Sequence, residues 1–334
     1  REPSPVKILI TGATGFLGRR VIHALTREGA TVLALARSAA ARDAVTALGA
    51  TPVPGDLDRP GGLVLPPADA VIHAAALFRL AGPRADFVRT NVAGTAALLA
   101  AARAAGVPRF VNVGAAAVVM DDGGAPVRGA DETAPVNRGS RFAYLATKAG
   151  GEALVLAANA PGFTTLSVRT PGIWGPGDAF SAALPVMLRR KMFVFIGGGR
   201  FGWSTAHVDN VAEALCLALM RGAGGQAYFV NDREPVTFRA FAGGIAGAMG
   251  LSVAGTPSLP YGLASFAGGA MEAGARLVGA KGDPPISRMM VRMIGREFTT
   301  SDARARADLG YVGRVSRAEG LAGYAGGGKA SGWT

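Results

Sequence analysis

The chain has 334 residues, of which 49% are hydrophobic, and it carries a formal net charge of +12. This length suits one large domain or a domain with an added lobe, and the single cysteine excludes a disulfide framework and suits a cytoplasmic protein. The arginines are scattered without a basic run that interleaves aromatic residues, so we expect no nucleic-acid partner. The apolar stretch 261–278 contains Glu272 and Arg276, which predicts an amphipathic helix rather than stable insertion into a membrane.

Short apolar runs alternate with longer runs rich in Ala and Leu through the first half of the chain. Strands that are apolar on both faces and separated by helices are typical of a parallel sheet covered on both sides. We therefore predict an α/β fold with a doubly wound parallel sheet, which binds ligands at the carboxyl ends of its strands. The predicted strands are 6–10, 31–36, one before Asp56, 70–75, 109–113 and 164–169.

The first predicted strand runs directly into the glycine-rich sequence TGATGFLG, residues 11–18. Gly12 permits a tight turn, Gly15 lets a pyrophosphate approach the backbone, and Gly18 lets the next helix pack close to the sheet. N–H groups at the start of that helix then bind the anion. Because the pattern lies between a strand and a helix, it predicts a dinucleotide-binding Rossmann domain. The residues expected against the cofactor are Thr11, Gly12, Thr14, Gly15, Phe16, Leu17 and Gly18.

The end of the second strand indicates which dinucleotide binds. Arg37 and Ser38 stand where a carboxylate would bind the ribose hydroxyls of NAD. An arginine at this place suits a 2′-phosphate, so we expect NADP(H), with NAD(H) as the alternative. Asp56 and Leu57 follow the third strand and are expected near the adenine.

Tyr144 and Lys148 lie four residues apart in a predicted helix and therefore face the same way. A free tyrosine has a pKa of about 10. A nearby ammonium favours the phenolate, so we expect Lys148 to lower the pKa of Tyr144. The pair is predicted to act as a general acid/base and its partner.

The alternating pattern changes near residue 170, where Gly and Pro become frequent. We predict that residues 1–170 form the Rossmann domain and that 201–231 return to it. A smaller, mostly helical substrate lobe is expected from 171–200 and 232–320. The glycine-rich end, 321–334, is predicted to be a flexible tail.

These motifs, with HAAA (73–76), NVAGT (91–95) and HVDNVAEA (207–214), resemble the extended short-chain dehydrogenase/reductase superfamily, of the NAD-dependent epimerase/dehydratase type. The resemblance covers about residues 6–320 and is greatest to the bacterial 3β-hydroxysteroid dehydrogenase-like branch. It implies that Tyr144 is the acid/base, that Lys148 also binds the nicotinamide ribose, and that Asn91 organises a proton relay. It also implies cofactor contacts at His73, Ala74 and Ala75, and nicotinamide contacts at Thr170, Pro171, Gly172 and Ile173.

One part of the superfamily's site is missing from the sequence. The Ser or Thr that orients the substrate carbonyl would stand at Ala115, or less readily at Gly114. Loss of one such donor lowers the rate by a factor of about 10²–10³. Three interpretations stay open: a redox enzyme in which Ser140, a water or the substrate's own hydroxyl replaces the donor, a non-redox cyclase, isomerase or epimerase, or a cofactor-binding protein without catalysis.

The segments around the site are rich in apolar residues, which favours a small hydrophobic ketone or secondary alcohol, such as occurs in secondary metabolism. A nucleotide-sugar is the alternative, but Gly172 stands where the epimerases that this chain resembles have a diphosphate-binding asparagine. No spacing of His, Cys or carboxylate residues predicts a metal site. Pairing of two chains through 91–105 and 142–158 is an open expectation. The predicted substrate contacts are Leu77, Phe78, Ser140, Trp174, Phe180 and Trp203.

Overall fold

The computed structural model describes residues 5–59, 61–278 and 282–325. The strands are β1 (Lys7–Thr11), β2 (Thr31–Ala36), β3 (Thr51–Pro54), β4 (Ala70–His73), β5 (Arg109–Ala115), β6 (Val127–Ala130), β7 (Thr164–Thr170), β8 (Gly172–Trp174), β9 (Phe195–Ile196), β10 (Thr205–His207), β11 (Ala227–Phe229), β12 (Ser258–Leu259) and β13 (Phe298–Thr300). The helices are α1 (Phe16–Arg27), α2 (Ala39–Ala47), α3 (Arg84–Phe87), α4 (Thr95–Ala104), α5 (Ala143–Ala157), α6 (Ala179–Arg189), α7 (Val208–Arg221), α8 (Phe238–Ala248), α9 (Tyr261–Leu277), α10 (Arg288–Ile294) and α11 (Arg317–Ala322).

Seven strands form one parallel sheet in the order β11-β7-β5-β4-β1-β2-β3. This confirms the predicted doubly wound α/β fold. β3 contains Pro52 and Pro54 and lies at an edge, where a residue without an N–H is tolerated. β11, which lies within the segment 201–231, forms the other edge.

Both faces of the sheet are buried because successive side chains of a strand point to opposite sides. Ile8 and Ile10 pack into a cluster that includes Val21 of α1 and Val211 of α7. Leu9, between them, packs into a second cluster with Leu98 of α4 and Val155 of α5. The helices α4 and α5 therefore cover the face opposite to α1 and α7.

A third cluster forms the lobe beyond the sheet, with aromatic side chains from α6, β9 and α8. The structure corrects the start of the predicted tail, because Tyr324 is buried in this lobe. Its ring stacks on Trp174, and its hydroxyl donates to Asp178 at 2.8 Å. Residues 326–334 of the predicted tail lie outside the described residues. The predicted amphipathic helix is α9, and no helix within the described ranges is long and apolar enough to cross a membrane.

Candidate active site

The glycine-rich turn between β1 and α1 has the shape that a pyrophosphate needs. Gly12 has a φ of +72°, and a Cβ on it would lie 2.8 Å from the backbone of Ala74. A Cβ on Gly18 would collide with the carbonyl oxygen of Gly12, so glycine is required where α1 starts against the strand. Gly15 precedes α1 without a side-chain cap, which leaves the first turn of the helix to an anion. Among the other predicted residues, Thr11 ends β1 and Thr14 lies on the turn. Phe16 and Leu17 begin α1.

His73 connects three elements behind this turn. Its Nδ1 lies 2.8 Å from the hydroxyl of Thr11, and its Nε2 lies 2.9 Å from that of Thr95. Because the Thr95 hydroxyl donates to the carbonyl of Asn91, it accepts from His73 Nε2, and Thr11 donates to Nδ1. Burial, with a contribution from the charge of Lys148, lowers the pKa of His73 to about 3. His73 is therefore a neutral link among β1, β4 and α4.

Asn91 fixes the segment that follows β4 to the helix that carries Tyr144. Its amide accepts a hydrogen bond from Leu77 N at 2.7 Å and donates to Leu77 O at 3.1 Å. The same amide nitrogen donates to Thr147 of α5 at 3.2 Å. This clamp places the ring of Phe78 edge-on against Tyr144, with 4.9 Å between ring centres. The predicted residues Asn91, Leu77 and Phe78 are thus brought together beside Tyr144.

Lys148 lies behind Tyr144 on the inner side of α5. Its ammonium donates to the carbonyl oxygen of Val113 at 2.7 Å, near the carboxyl end of β5. Burial lowers the pKa of Lys148 to about 8, against an opposing effect of the Glu152 carboxylate. The ammonium is therefore held where the sheet presents a bound cofactor.

The pKa of Tyr144 differs from the sequence prediction. Burial raises it to about 12, whereas we expected Lys148 to lower it. The lysine ammonium is directed to the Val113 carbonyl, and loss of water around the phenol dominates. Tyr144 is consequently a neutral phenol at physiological pH, which is the form that can give a proton.

Ala115 ends β5 beside Tyr144, at the predicted place of the missing hydroxyl. It is buried with Val118 and Ala149, and Tyr144 packs against this group. Gly114 is not an alternative place for the donor, because a Cβ there would lie 2.5 Å from the hydroxyl of Ser167. The short helical turn Ala116–Val119 follows, so the strand end presents methyl and isopropyl groups.

Ser140 does not replace the missing donor. It is completely buried, and its hydroxyl donates to the Asp122 carboxylate at 2.6 Å while accepting from Phe142 N. Two other hydroxyls near α5 are also engaged, because Thr147 donates to a carbonyl of its own helix and Thr170 donates to Gly114 O at 3.0 Å. Ser140 is therefore a structural residue in the loop before α5 rather than a substrate contact.

A buried ion pair beneath the end of β5 was not predicted. Glu152 accepts from Arg169 at 2.7 Å and from Ser167 at 2.9 Å, and both charged side chains are buried. Asn112 donates to the same serine at 3.0 Å. The available signal was the spacing of Glu152, one helical turn after Lys148 on α5.

Apolar side chains form the wall in front of Tyr144. Tyr144, Trp203 and Leu80 pack against one cluster from the turn after β5, from α5 and from β11, α10 and β13. The indole of Trp203 lies over Gly172, where a Cβ would be 2.7 Å from the ring, and it donates to Met293 O. A cavity of about 630 Å³ that Trp203 also lines does not reach Tyr144 or Lys148. The cluster consists of Ala116, Ala117, Met120, Phe142, Leu145, Phe229, Met289 and Phe298.

Two predicted substrate contacts belong instead to the core of the lobe. Trp174 is buried, and its indole N–H donates to Asp232 at 2.6 Å. Phe180 stacks on Phe241 with 6.0 Å between ring centres. These aromatic residues pack the lobe, and the sequence pattern does not distinguish packing from substrate contact.

Substitution of Gly172 by alanine is expected to lower the free energy of unfolding by about 1–3 kcal/mol, since the methyl group displaces a rigid indole. Urea unfolding, followed by tryptophan fluorescence, measures the change. Gly247→Ala is the matched control, because a Cβ there meets nothing within 4 Å and alanine favours α8. Equal stability of Gly172→Ala and the natural chain would contradict the placement of Trp203.

The far end of the cofactor site contains the other predicted residues. The guanidinium of Arg37 is exposed and lies 3.3 Å from Asp58 Oδ2. Ser38 caps α2 by accepting from Ala41 N at 3.2 Å. Leu57 is buried, whereas Asp56 lines a cavity of about 430 Å³ with other charged residues. Ala75 follows β4, Pro171 lies between β7 and β8, and Ile173 is the middle residue of β8.

Comparison with known proteins agrees with this geometry. The family described as 3-beta hydroxysteroid dehydrogenase/isomerase matches residues 9–261. The 4-hydroxy-2-methyl-3-oxo-4-farnesyl-3,4-dihydroquinoline-1-oxide ketoreductase of Stigmatella aurantiaca is 41% identical, with 95% of each chain covered. The 2-alkyl-3-oxoalkanoate reductase of Stenotrophomonas maltophilia is 33% identical, over 95% of this chain and 97% of that protein.

Among solved structures, dTDP-glucose 4,6-dehydratase of Streptomyces venezuelae with NAD bound has a TM-score of 0.72 and covers 95% of each chain. At 22% identity it shows a common fold alone. The sequence resemblance is confirmed by these matches. The chain therefore belongs to the 3-beta hydroxysteroid dehydrogenase/isomerase family, a branch of the extended short-chain dehydrogenase/reductase superfamily whose oxidoreductases use a nicotinamide cofactor.

Proposed function

We propose that this chain is an NADP(H)-dependent ketoreductase, or hydroxy-dehydrogenase in the reverse direction, acting on a hydrophobic ketone or secondary alcohol. The observation that carries the proposal is the position of Tyr144, a neutral phenol between Lys148 and an apolar wall. The names of two relatives support it, since one acts on a farnesyl-bearing ring ketone and the other on 2-alkyl-3-oxoalkanoates. The Stigmatella ketone also carries a hydroxyl on the carbon beside its 3-oxo group.

The side chains suggest how reduction proceeds. When bound, the nicotinamide supplies a hydride to the carbonyl carbon. Tyr144 gives its phenolic proton to the carbonyl oxygen, while the ammonium of Lys148, held at Val113 O, would bind the ribose of the nicotinamide. Phe78 packs edge-on against the ring of Tyr144. Asn91 fixes the position of Phe78, because it hydrogen-bonds to the backbone of the preceding residue, Leu77.

Arg37 supports NADP(H) as the cofactor. Its pair with Asp58 is solvent-exposed and therefore weak, so the guanidinium is free to turn to a 2′-phosphate. Charge-assisted hydrogen bonds of this kind contribute about 1.5–3 kcal/mol.

The variant Arg37→Ala is expected to weaken NADPH binding by about 10- to 100-fold and to leave NADH binding nearly unchanged. Fluorescence titration of both cofactors measures the two dissociation constants. The control is Arg27→Ala, which removes the same charge at the end of α1 distant from the glycine-rich turn. An equal loss for both cofactors, or no loss for NADPH, would contradict the assignment.

Ala115 favours one second candidate, a non-redox isomerisation or cyclisation with Tyr144 as acid/base. The two functions separate in one assay of purified protein with NADPH and a set of hydrophobic ketones. The ketoreductase consumes NADPH in step with alcohol formation, whereas the non-redox enzyme forms product without a net change in NADPH. A nucleotide-sugar substrate is less favoured, since the Trp203 indole covers Gly172.

A further inference from the structure

The reacting carbonyl meets an unusual lack of donors in this site. Tyr144 is one donor, but Ala115 presents only a methyl group where a second donor is expected. The hydroxyl of Ser140 is committed to Asp122, and that of Thr170 is committed to Gly114 O. The second donor must therefore come from outside these side chains.

The side chains that pack around Ala115 do not favour a trapped water. A buried water needs two to four polar partners. Ala115 is instead buried with Val118 and Ala149, and the side chains packed against them include Val119 and Val136. The side chains around the place of the missing hydroxyl are thus apolar and offer a water few hydrogen bonds.

We propose that the substrate supplies the second donor, and that the enzyme is specific for α-hydroxy ketones. This inference rests on the proposed ketoreductase function. A hydroxyl on the carbon next to the carbonyl can donate to the carbonyl oxygen through a five-membered ring. The methyl group of Ala115 cannot donate to that oxygen, so the hydroxyl of the substrate has no competitor there.

The reaction balances without a further reagent. A hydride from NADPH forms the new C–H bond at the carbonyl carbon, and the π electrons of the carbonyl take the phenolic proton of Tyr144. The products are a vicinal diol and NADP⁺, while Tyr144 regains a proton from solvent. The α-hydroxyl keeps its own proton and stabilises the negative charge as it develops on oxygen.

The test uses six ketones in two sets of three. One set is benzoin, its methyl ether and deoxybenzoin. The other is 2-hydroxycyclododecanone, its methyl ether and cyclododecanone. The methyl ether keeps the electron-withdrawing oxygen but has no proton to donate, so it isolates the hydrogen bond. With the natural enzyme, kcat/KM for the hydroxy ketone is expected to exceed that for the ether by a factor of about 10² or more. In Ala115→Ser, kcat/KM for the ether is expected to rise because serine supplies the donor. The ratio of hydroxy ketone to ether then falls to about ten or less.

The variant Ala115→Cys is the control for volume, since a thiol of similar size is a weak donor and should keep the ratio of the natural enzyme. Equal rates for hydroxy ketone and ether in the natural enzyme would overturn the inference while the ketoreductase function stands. So would a silent natural enzyme whose serine variant reduces deoxybenzoin, a result that favours the non-redox function. If neither protein reduces any of the six ketones, the ketoreductase function and this inference both fall.

Discussion

Replacing Tyr144 by phenylalanine is expected to lower kcat for ketone reduction by about 10²- to 10⁴-fold while NADPH binds as before. The phenol supplies the proton that the carbonyl oxygen takes, and phenylalanine keeps the ring that packs against Phe78 and Ala115. The loss should therefore appear in the chemical step and not in stability or cofactor affinity. Steady-state kinetics with NADPH titration separates these quantities.

Tyr261→Phe, in α9 of the lobe, is the matched control and should keep the natural rate. The pH profile adds a second check on the same pair. Because Lys148 has a pKa lowered to about 8, its ammonium is present below that pH and is lost above it. The rate of reduction should therefore fall as the pH rises through about 8. If Tyr144→Phe keeps an activity within tenfold of the natural enzyme, the role assigned to Tyr144 is refuted.

Replacing Glu152 by glutamine is expected to lower the free energy of unfolding by about 3–5 kcal/mol. Arg169 would remain buried and charged without its carboxylate partner. Its guanidinium lies 2.7 Å from the Glu152 carboxylate, and both side chains are almost fully shielded from water. Ser167 and Gly114 lie against the same carboxylate, so water has little room to enter. Urea unfolding monitored by circular dichroism measures the loss.

Two variants distinguish the charge from the packing. The double variant Glu152→Gln/Arg169→Met removes both charges and should recover much of the stability. Asp86→Asn breaks the exposed pair with Arg89 and should cost about 1 kcal/mol or less. A loss of under 1 kcal/mol in Glu152→Gln would show that the pair is not buried as described.

The sheet and the cofactor cradle could be predicted because their signals are local. Alternation of apolar runs depends on neighbours within a strand or helix, and the structure places β1, β2 and β5 where the pattern predicted them. The glycines at 12 and 18 are required by contacts within the same turn and the adjacent strand. The relative position of Tyr144 and Lys148 could also be predicted, because both residues belong to one helix.

What could not be predicted depends on partners far apart in the chain. In the sequence, Ser140 resembles a free hydroxyl before α5. In the structure it donates a hydrogen bond to Asp122, which lies in a loop 18 residues earlier. Trp174 follows a motif that resembles a nicotinamide contact, yet its N–H is satisfied by Asp232, 58 residues later. The raised pKa of Tyr144 reflects desolvation by surrounding elements, which sequence spacing does not show.

The most direct test of the central claim is transfer of deuterium from NADPH labelled at the hydride position of its nicotinamide ring to a hydrophobic α-hydroxy ketone. Mass spectrometry of the product decides the outcome. The ketoreductase function predicts a diol that carries one deuterium at the former carbonyl carbon, formed in equal amount to NADP⁺. Product formed without deuterium and without NADP⁺ would contradict it and assign Tyr144 to non-redox chemistry.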